Sequence, residues 1–305
     1  MEGVTIIDVS PRDGLQNEPK LVTVEQKLQL VNKLLAAGVH KVEVTSFVHP
    51  LKVPQMADAN ELLQALSDKE DLEAIALIPN LKGYERAREH RLAEVNWVSA
   101  ATETFNEKNI GMTIEENMSQ FLNVLAEAKK DGVKTSFTIA VCFGCPYEGE
   151  VDEENVLQIV RRVKEAGVDR IGIADTIGIA TPDHVERLMT KVLAIAGDTP
   201  VAIHLHDTRG LGLTNAYVAY KAGVRIFETS ASGIGGCPFA PGAAGNLATE
   251  DLVYLFERMN ISTGVDLTKL LGAADYAASL STKNPLGRIR HVEKQREQGN
   301  VCSSP

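Results

Sequence analysis

Short apolar stretches rich in Val, Ile and Ala alternate with longer amphipathic stretches along most of the chain. After Thr23, for example, Leu28, Val31, Leu34 and Leu35 keep the spacing of one face of a helix. The short stretches are typical of strands in a parallel sheet whose outer face is covered by helices. They predict eight strands, over residues 4–9, 41–45, 73–78, 95–100, 135–141, 169–174, 201–206 and 225–230.

A recurring Gly-Val pair marks the ends of several intervening helices. Gly38, Gly132, Gly167 and Gly223 each end a helical pattern and are followed within a few residues by a predicted strand. Glycine at this position adopts the left-handed backbone conformation that ends a helix. The recurrence therefore indicates repeated junctions from helix to strand.

The helix starts agree with this organisation. Thr23 and Thr113 each begin a capping box, and Pro182 occupies the first position of another helix. Strands alternating with helices predict a (β/α)8 TIM barrel over residues 1–250, with a doubly wound open sheet as the alternative. Residues 251–305 are predicted to form additional C-terminal helices that pack on the barrel and end in a frayed tail.

Composition narrows the class of protein. The chain has 305 residues, and its 31 Lys and Arg against 41 Asp and Glu give a formal net charge of −10. This charge argues against nucleic acid or an anionic membrane as the partner, because binding phosphates needs clustered cations. No apolar run reaches the roughly 18 residues of a membrane span. The N-terminus has no basic signal region, and Cys142 and Cys145 form a lone CxxC without a second pair to complete a zinc site. We expect a cytoplasmic protein.

In a TIM barrel the catalytic residues lie at the carboxyl ends of the strands, so polar residues there are candidates. Arg12 and Asp13 directly follow the first predicted strand, in a segment that also suits a plain turn. Glu43 alternates with Val42 and Val44 in the second strand, so it points into the barrel if the valines face the helices. A buried carboxylate needs a partner. Arg12 on the neighbouring strand is available, for a catalytic or a purely structural ion pair.

His204 and His206 share one face near the end of the seventh strand. Two imidazoles at this spacing can bind one metal ion, and packing histidines are the alternative. The loop after the eighth strand carries Cys237 among several glycines and ends at Asn246, a candidate helix N-cap. This loop suits either a phosphate site or a mobile segment with one reactive thiol. Asp175, at the end of the sixth strand, suits a turn or a supporting acid.

Several motifs follow one another at the ends of the predicted strands, across residues 4–254. They are PRDGLQNE (11–18), TSFVHP (45–50), VPQM (53–56), PNLKG (79–83), KNI (108–110), GCPYEG (144–149), ADTIG (174–178), HLHDT (204–208) and GGCPFAPGAAGNLATEDLVY (235–254). No single motif is decisive, but together they are highly specific. With them the chain resembles the 3-hydroxy-3-methylglutaryl-CoA (HMG-CoA) lyase family of the DRE-TIM metallolyase superfamily.

The resemblance implies one divalent metal cation, Mg²⁺ or Mn²⁺. The implied ligands are Asp13, His204, His206 and Asn246. Oxygen and imidazole ligands with open positions suit such a cation better than a closed zinc site does. The implied partners are an acyl-CoA substrate and further copies of this chain in a homodimer or larger homo-oligomer, with neither nucleic acid nor a membrane.

The resemblance also implies a reaction, in leucine catabolism and ketone-body formation. HMG-CoA would lose its hydroxyl proton and break between C2 and C3, giving acetoacetate and the enolate of acetyl-CoA. Arg12 would stabilise the developing oxyanion, and Cys237 would protonate the enolate. His204 or Asp175 would act as the base. The implied catalytic residues are Arg12, Glu43, Asp175, His204 and Cys237; the implied substrate-binding residues are Arg12, Gln16 and Asn109; Glu250 matches a further polar position of the site.

Two features depart from the family's common pattern. Arg209 and the segment SFTIAVCF (136–143) both lie near the expected site. The alternative is therefore a lyase for a different branched 3-hydroxyacyl-CoA, with a changed pocket around Thr138 and Arg209. A condensing relative similar to isopropylmalate synthase is expected to carry a long regulatory domain, which this sequence does not show. A catalytically inactive scaffold would lack some of the implied metal ligands, whereas this sequence has a suitable residue at each of the four positions.

Overall fold

A computed structural model describes residues 3–236, 245–282 and 287–297, with 293–297 described by their backbone alone. Within these ranges eight parallel strands close into one barrel in chain order. The strands are β1 Thr5–Asp8, β2 Lys41–Ser46, β3 Glu73–Leu77, β4 Glu94–Ala100, β5 Lys134–Ala140, β6 Arg170–Asp175, β7 Val201–Leu205 and β8 Ile226–Thr229. Each predicted strand is confirmed to within one residue at either end. The open-sheet alternative is wrong, because β1 pairs with both β2 and β8.

Helices surround the barrel, and further helices follow it. They are α1 Val24–Ala36, α2 Ala59–Ala65, α3 Leu81–Ala87, α4 Glu103–Ile110, α5 Ile114–Asp131, α6 Glu153–Ala166, α7 Pro182–Ala196, α8 Gly212–Ala222, α9 Thr249–Arg258, α10 Leu267–Leu280 and α11 Arg288–Glu297. The additional C-terminal helices are confirmed, since α10 contacts α1 and α9 while α11 contacts α9. The division of the chain at residue 250 stays a prediction. None of the described helices has both the length and the hydropathy needed to cross a membrane.

Local sequence signals set the ends of these helices. The Thr23 hydroxyl accepts the backbone N–H of Gln26 and the Gln26 side chain accepts the N–H of Thr23, so this capping box is complete. Thr113 and Glu116 form the same arrangement at the start of α5. The positive φ angles predicted for the terminal glycines are present, at Gly38, Gly132, Gly167 and Gly223.

The main hydrophobic core lies between the barrel and its helices. Val42 and Val44 of β2 belong to it and are fully buried, as the alternation predicted. A small separate apolar cluster of Ile7, Val9 and Ile75 lies on the other face of the strands, inside the barrel. Buried polar side chains occupy the barrel interior beyond this cluster. Because buried charges need partners, the polar side chains inside the barrel restrict how side chains at the carboxyl ends of the strands can be arranged.

Candidate active site and metal centre

Arg12 is held between two carboxylates at the carboxyl end of β1. It lies in the helical turn Ser10–Gly14 that directly follows this strand. Its Nε donates to Glu43 Oε2 at 2.6 Å, and its Nη1 donates to Asp13 Oδ1 at 2.7 Å. The other oxygen of Glu43 accepts a hydrogen bond from Asn96 Nδ2 at 3.0 Å. The predicted ion pair of Arg12 with an inward-pointing Glu43 therefore forms, and both residues are buried.

Asp13 meets the two histidines of β7 and its extension. Side-chain atoms of Asp13, His204 and His206 that could bind a metal ion all lie within 4.8 Å of one another. The Nε2 atoms of the two imidazoles are 3.2 Å apart. Burial would raise the pKa of Asp13, but Arg12 and the imidazoles lower it to about 2. Burial, together with neighbouring His204, lowers the pKa of His206 to about 4.

Asn246 reaches the same place from the loop after β8. Its backbone forms an antiparallel bridge with His206. Its side-chain Nδ2 donates to Asp13 Oδ2 at 2.8 Å and to the carbonyl oxygen of Ile234 at 3.1 Å. A Cβ atom at Gly235 would lie 2.6 Å from this Nδ2, and the φ angle there is +118°. Glycine at 235 is therefore what lets the loop pass so close to the amide.

The residues of this cluster fit a divalent cation. Asn246 does not cap a helix, because α9 begins with Ala248 as its N-cap, so the N-cap interpretation is wrong. Its Oδ1 and the Nδ1 of His206 are buried and have no hydrogen-bond partner within the described ranges. Buried polar atoms without partners are rare in proteins and often indicate an ion that belongs there. A carboxylate, an amide oxygen and two imidazoles form a donor set that Mg²⁺ or Mn²⁺ accepts.

A buried ionic network lies behind His204, inside the barrel. His204 Nδ1 is 3.3 Å from Glu228 Oε2 on β8. Arg170 Nη1 donates to Glu228 Oε1 at 2.5 Å, and Arg170 Nη2 donates to Glu94 Oε1 at 2.5 Å. Arg170 Nη2 also lies 3.2 Å from the hydroxyl of Ser136. Burial alone would raise the pKa of Glu228, but Arg170 and His204 lower it to about 2.

Sequence reasoning missed this network. Glu94, Arg170 and Glu228 are charged residues within short apolar strands, which is the signal that identified Glu43. Applied to β4, β6 and β8, the same argument about the cost of burying a charge would have found them. Asn96, which joins the network to Glu43, is polar but uncharged and gives a weaker signal.

Asp175 and Glu250 are buried but make mostly backbone contacts. The carboxylate of Asp175 accepts the N–H groups of Ile179 at 2.9 Å and Ala180 at 3.0 Å. Burial raises the pKa of Asp175. Glu250 Oε2 accepts the N–H of Ser232 at 2.9 Å, at the start of the loop after β8. Both carboxylates thus shape loops at the carboxyl end of the barrel.

Of the expected substrate-binding residues other than Arg12, Gln16 contacts the cluster around Asp13, whereas Asn109 has no described contact with it. Gln16 Nε2 donates to Asp13 Oδ1 at 2.9 Å, so Gln16 belongs to the cluster. Asn109 lies exposed near the end of α4, and no described hydrogen bond joins it to the cluster. Cys237 falls in residues 237–244, outside the described residues.

Arg209 and Thr138, the latter from the segment 136–143, represent the two departures from the family pattern, and both make hydrogen bonds within the protein. Arg209 Nη1 donates to the carbonyl oxygens of Ile177 at 2.9 Å and Gly178 at 3.0 Å, in the loop after β6. Thr138 is buried inside the barrel, where its hydroxyl donates to Asn96 Oδ1 at 3.0 Å. Arg209 therefore braces a loop at the mouth, and Thr138 extends the interior network.

The chain matches the family described as HMGL-like over residues 3–276. This chain belongs to the HMGL-like family. The resemblance found from the sequence motifs is thereby confirmed.

Proteins similar to this chain include lyases named for more than one acyl-CoA. The hydroxymethylglutaryl-CoA lyase YngG of Bacillus subtilis is 41% identical over 273 residues, which cover 90% of this chain and 91% of that protein. The (R)-citramalyl-CoA lyase of Chloroflexus aurantiacus is 40% identical over 289 residues, covering 92% and 91%. An HMG-CoA lyase from Acinetobacter baumannii, solved with coenzyme A and 3-methylmalate, superposes with a TM-score of 0.91 at 36% identity, covering 99% of this chain and 98% of that one.

Proposed function

We propose that this protein is a divalent-metal-dependent carbon–carbon lyase that cleaves HMG-CoA to acetyl-CoA and acetoacetate. The observation that carries the proposal is the convergence of Asp13, His204 and His206 beside Arg12, with Asn246 bonded to Asp13. Membership of the HMGL-like family and 41% identity to a hydroxymethylglutaryl-CoA lyase support the substrate.

Asp13, His204, His206 and Asn246 would hold the cation, for which we propose Mg²⁺ or Mn²⁺. When bound, such a cation would lower the pKa of the substrate's tertiary hydroxyl and polarise its oxygens. The low pKa of Asp13 keeps its carboxylate ionised, and the low pKa of His206 keeps its imidazole neutral. These are the protonation states that metal ligation requires.

The chain's own side chains would supply the remaining chemistry. A base takes the hydroxyl proton, the C2–C3 bond breaks to leave the ketone of acetoacetate and the enolate of acetyl-CoA, and a proton is delivered to C2. Arg12 would stabilise the negative charge that develops on oxygen. Asp175 suits the base better than His204 does, because both nitrogens of His204 already have neighbours while a carboxylate accepts about four hydrogen bonds and Asp175 uses two. We assign protonation of C2 to Cys237.

The second candidate is a lyase of the same mechanism acting on a different branched 3-hydroxyacyl-CoA. The 40% identity to a citramalyl-CoA lyase favours it. Citramalyl-CoA has one methylene fewer than HMG-CoA between the hydroxyl-bearing carbon and the free carboxylate, so the same cleavage would yield pyruvate in place of acetoacetate. One methylene changes binding by about 1–3 kcal/mol, which is enough to set the preferred substrate.

The test is to measure acetyl-CoA release from HMG-CoA and from citramalyl-CoA in parallel, with Mg²⁺, with Mn²⁺ and with a chelator. We expect metal-dependent release from HMG-CoA at the higher kcat/KM, with acetoacetate formed in equal amount. A kcat/KM higher for citramalyl-CoA would favour the second candidate. Cleavage of neither substrate would contradict both.

We further infer a cytoplasmic homo-oligomer, with residues 1–250 as the catalytic barrel and 251–305 as a helical extension. The substrate supports the location, because CoA thioesters are intracellular metabolites. Size-exclusion chromatography with light scattering would measure the mass of the assembly. The mass of a monomer at micromolar concentration would contradict a homo-oligomer.

A further inference from the structure

The two nitrogens of His204 have different neighbours. Nδ1 lies 3.3 Å from Glu228 Oε2, and Nε2 lies 3.2 Å from the Nε2 of His206. An ionised carboxylate can only accept a hydrogen bond, so Nδ1 of His204 carries a proton, and in the neutral imidazole the lone pair then lies on Nε2. This is the tautomer in which His204 can offer Nε2 to a cation shared with His206.

Glu228 is itself held in place. Its other oxygen accepts from Arg170 Nη1 at 2.5 Å, and both residues are only 5% exposed. The guanidinium of Arg170 is fixed in turn by Glu94, which accepts from Nε at 3.0 Å and from Nη2 at 2.5 Å. The contacts come from three strands, β4, β6 and β8, so the carboxylate of Glu228 is anchored across the barrel interior.

We infer that Glu228, anchored by Arg170, is a positioning residue of the metal centre that holds the ring of His204 in orientation and tautomer. The inference rests on the metal site of the proposed function, but not on its substrate. Partners that orient a ligating histidine typically change metal affinity by about 10- to 100-fold when they are removed. Glu228 would therefore act on cation binding without touching the cation or the substrate.

The alternative is that Glu228 only neutralises Arg170. Glu94 provides a matched comparison, because it is a second buried glutamate on the same guanidinium. Glu94 lies on β4 and has no described contact with His204. Removing the negative charge at either position costs Arg170 one ion pair, whereas only the change at Glu228 alters the group that His204 contacts directly.

The experiment compares Glu228→Gln and Glu94→Gln with the wild-type protein as full-length, metal-stripped chains without substrate. The dissociation constant of Mn²⁺ is measured from the electron paramagnetic resonance signal of the free ion, and the visible spectrum of the Co²⁺-loaded protein reports the ligand geometry. We expect Glu228→Gln to bind Mn²⁺ about 10- to 100-fold more weakly and to shift the Co²⁺ bands. Glu94→Gln should keep the wild-type affinity and spectrum.

If the two variants bound Mn²⁺ equally more weakly than the wild-type protein, or if neither bound it more weakly, the positioning role of Glu228 would be overturned. If Glu228→Gln does not fold, ¹⁵N NMR of the metal-free wild-type protein decides instead, with the His204 signals assigned by their loss in His204→Gln. A His204 ring that carries a proton on Nδ1 supports the inference, and an Nδ1 without a proton overturns it. A wild-type chain that binds no Mn²⁺ would overturn the metal site and this role together. Binding of Mn²⁺ without cleavage of HMG-CoA would contradict the proposed substrate alone.

Discussion

At the scale of single residues, charged side chains of this site are buried together. They are therefore paired with side chains of opposite charge. Arg12 is 8% exposed and lies between the carboxylates of Glu43 and Asp13. Removing one member of such a group leaves an uncompensated buried charge, which costs about 3–5 kcal/mol. A substitution that removes a charge from this group should therefore keep the approximate shape of the side chain. Both the activity and the stability of each variant should be measured.

Arg12→Gln tests the oxyanion role at this scale. A cation positioned for charge that develops in the transition state should affect kcat far more than KM. We expect kcat for acyl-CoA cleavage to fall on the order of 10²-fold or more, with little change in KM.

Arg162→Gln is a suitable control, because Arg162 pairs with Glu115 at the exposed surface. It should leave both constants near the wild-type values. If Arg12→Gln kept kcat and only lowered the melting temperature, the ion pair with Glu43 would be structural.

Alkylation tests the thiol chemistry. Cys142 and Cys145 are buried, and burial raises the pKa of Cys142 to about 12, so neither should react readily. We expect iodoacetamide to inactivate the enzyme by modifying Cys237, located by peptide mapping, and a bound acyl-CoA to slow the loss. Cys237→Ala should still bind Mn²⁺ while losing most of its kcat. Full inactivation with Cys237 unmodified would assign the thiol role elsewhere.

Among the elements, the start of α9 is where the barrel and the last helix meet. The carboxylate of Asp251 accepts the N–H groups of Arg288 at 3.0 Å and Ile289 at 2.8 Å, which caps the first turn of α11. A Cβ atom at Gly287 would lie 1.9 Å from Glu250 Oε1, so a larger residue at 287 would displace this carboxyl. That oxygen has no partner among the residues described. The docking of α11 therefore encloses an acid that does not ionise easily.

Glu250 should make stability depend on pH. Desolvation raises its pKa in the folded protein from 4.5 to about 8. In the unfolded chain the carboxyl of Glu250 ionises near pH 4.5, while in the folded protein it stays protonated up to about pH 8. The contribution of Glu250 to the free energy of unfolding is therefore complete below pH 4.5 and is lost as the pH rises to about 8. Glu250→Gln cannot ionise and should escape this loss. Relative to wild type, it should gain on the order of 4 kcal/mol between these pH values.

Urea unfolding of Glu250→Gln and the wild-type protein at pH 5 and pH 8 measures this difference. Glu257→Gln, on the outer surface of the same helix, is the control and should follow the wild-type protein. A difference between Glu250→Gln and wild type that did not change with pH would show that the carboxyl is ionised in the folded state.

For the whole molecule, closure of the barrel assembles the proposed metal centre. Asp13 follows β1, the histidines belong to β7 and its extension, and Asn246 follows β8, so the proposed ligands come from both ends of the barrel sequence. The pairing of β1 with β8 brings them together. A cation bound here would connect Asp13 and Asn246, which are 233 positions apart in the sequence and are hydrogen-bonded to each other.

Metal removal should therefore affect both activity and global stability. A cation that binds only the folded chain stabilises it by about 2.7 kcal/mol when present at 100 times its dissociation constant. We expect chelator-treated protein to lose activity, and Mn²⁺ to restore it and raise the melting temperature in a concentration-dependent way. His206→Ala should show no such rise. Full activity in a preparation verified as free of metal would contradict the proposed mechanism.

The sequence by itself determined the elements and the candidates on single strands. Capping boxes, terminal glycines and apolar runs are local signals, so strand ends were predicted to within one residue. Alternation along one strand was enough to put Glu43 on the face opposite Val42 and Val44, and to put His204 and His206 on one face. These conclusions depend on backbone geometry over a few residues, which the local sequence signals specify.

The tertiary structure alone decided which distant groups meet. Asn246 suited a helix N-cap in the sequence, and only the packing of its loop against β7 brings its amide to Asp13. The chain of contacts from Glu94 through Arg170 and Glu228 to His204 likewise depends on strand register and on closure of the barrel. Burial forces these polar groups to find partners, but which partners lie within hydrogen-bonding distance is a property of the closed sheet and not of any single segment.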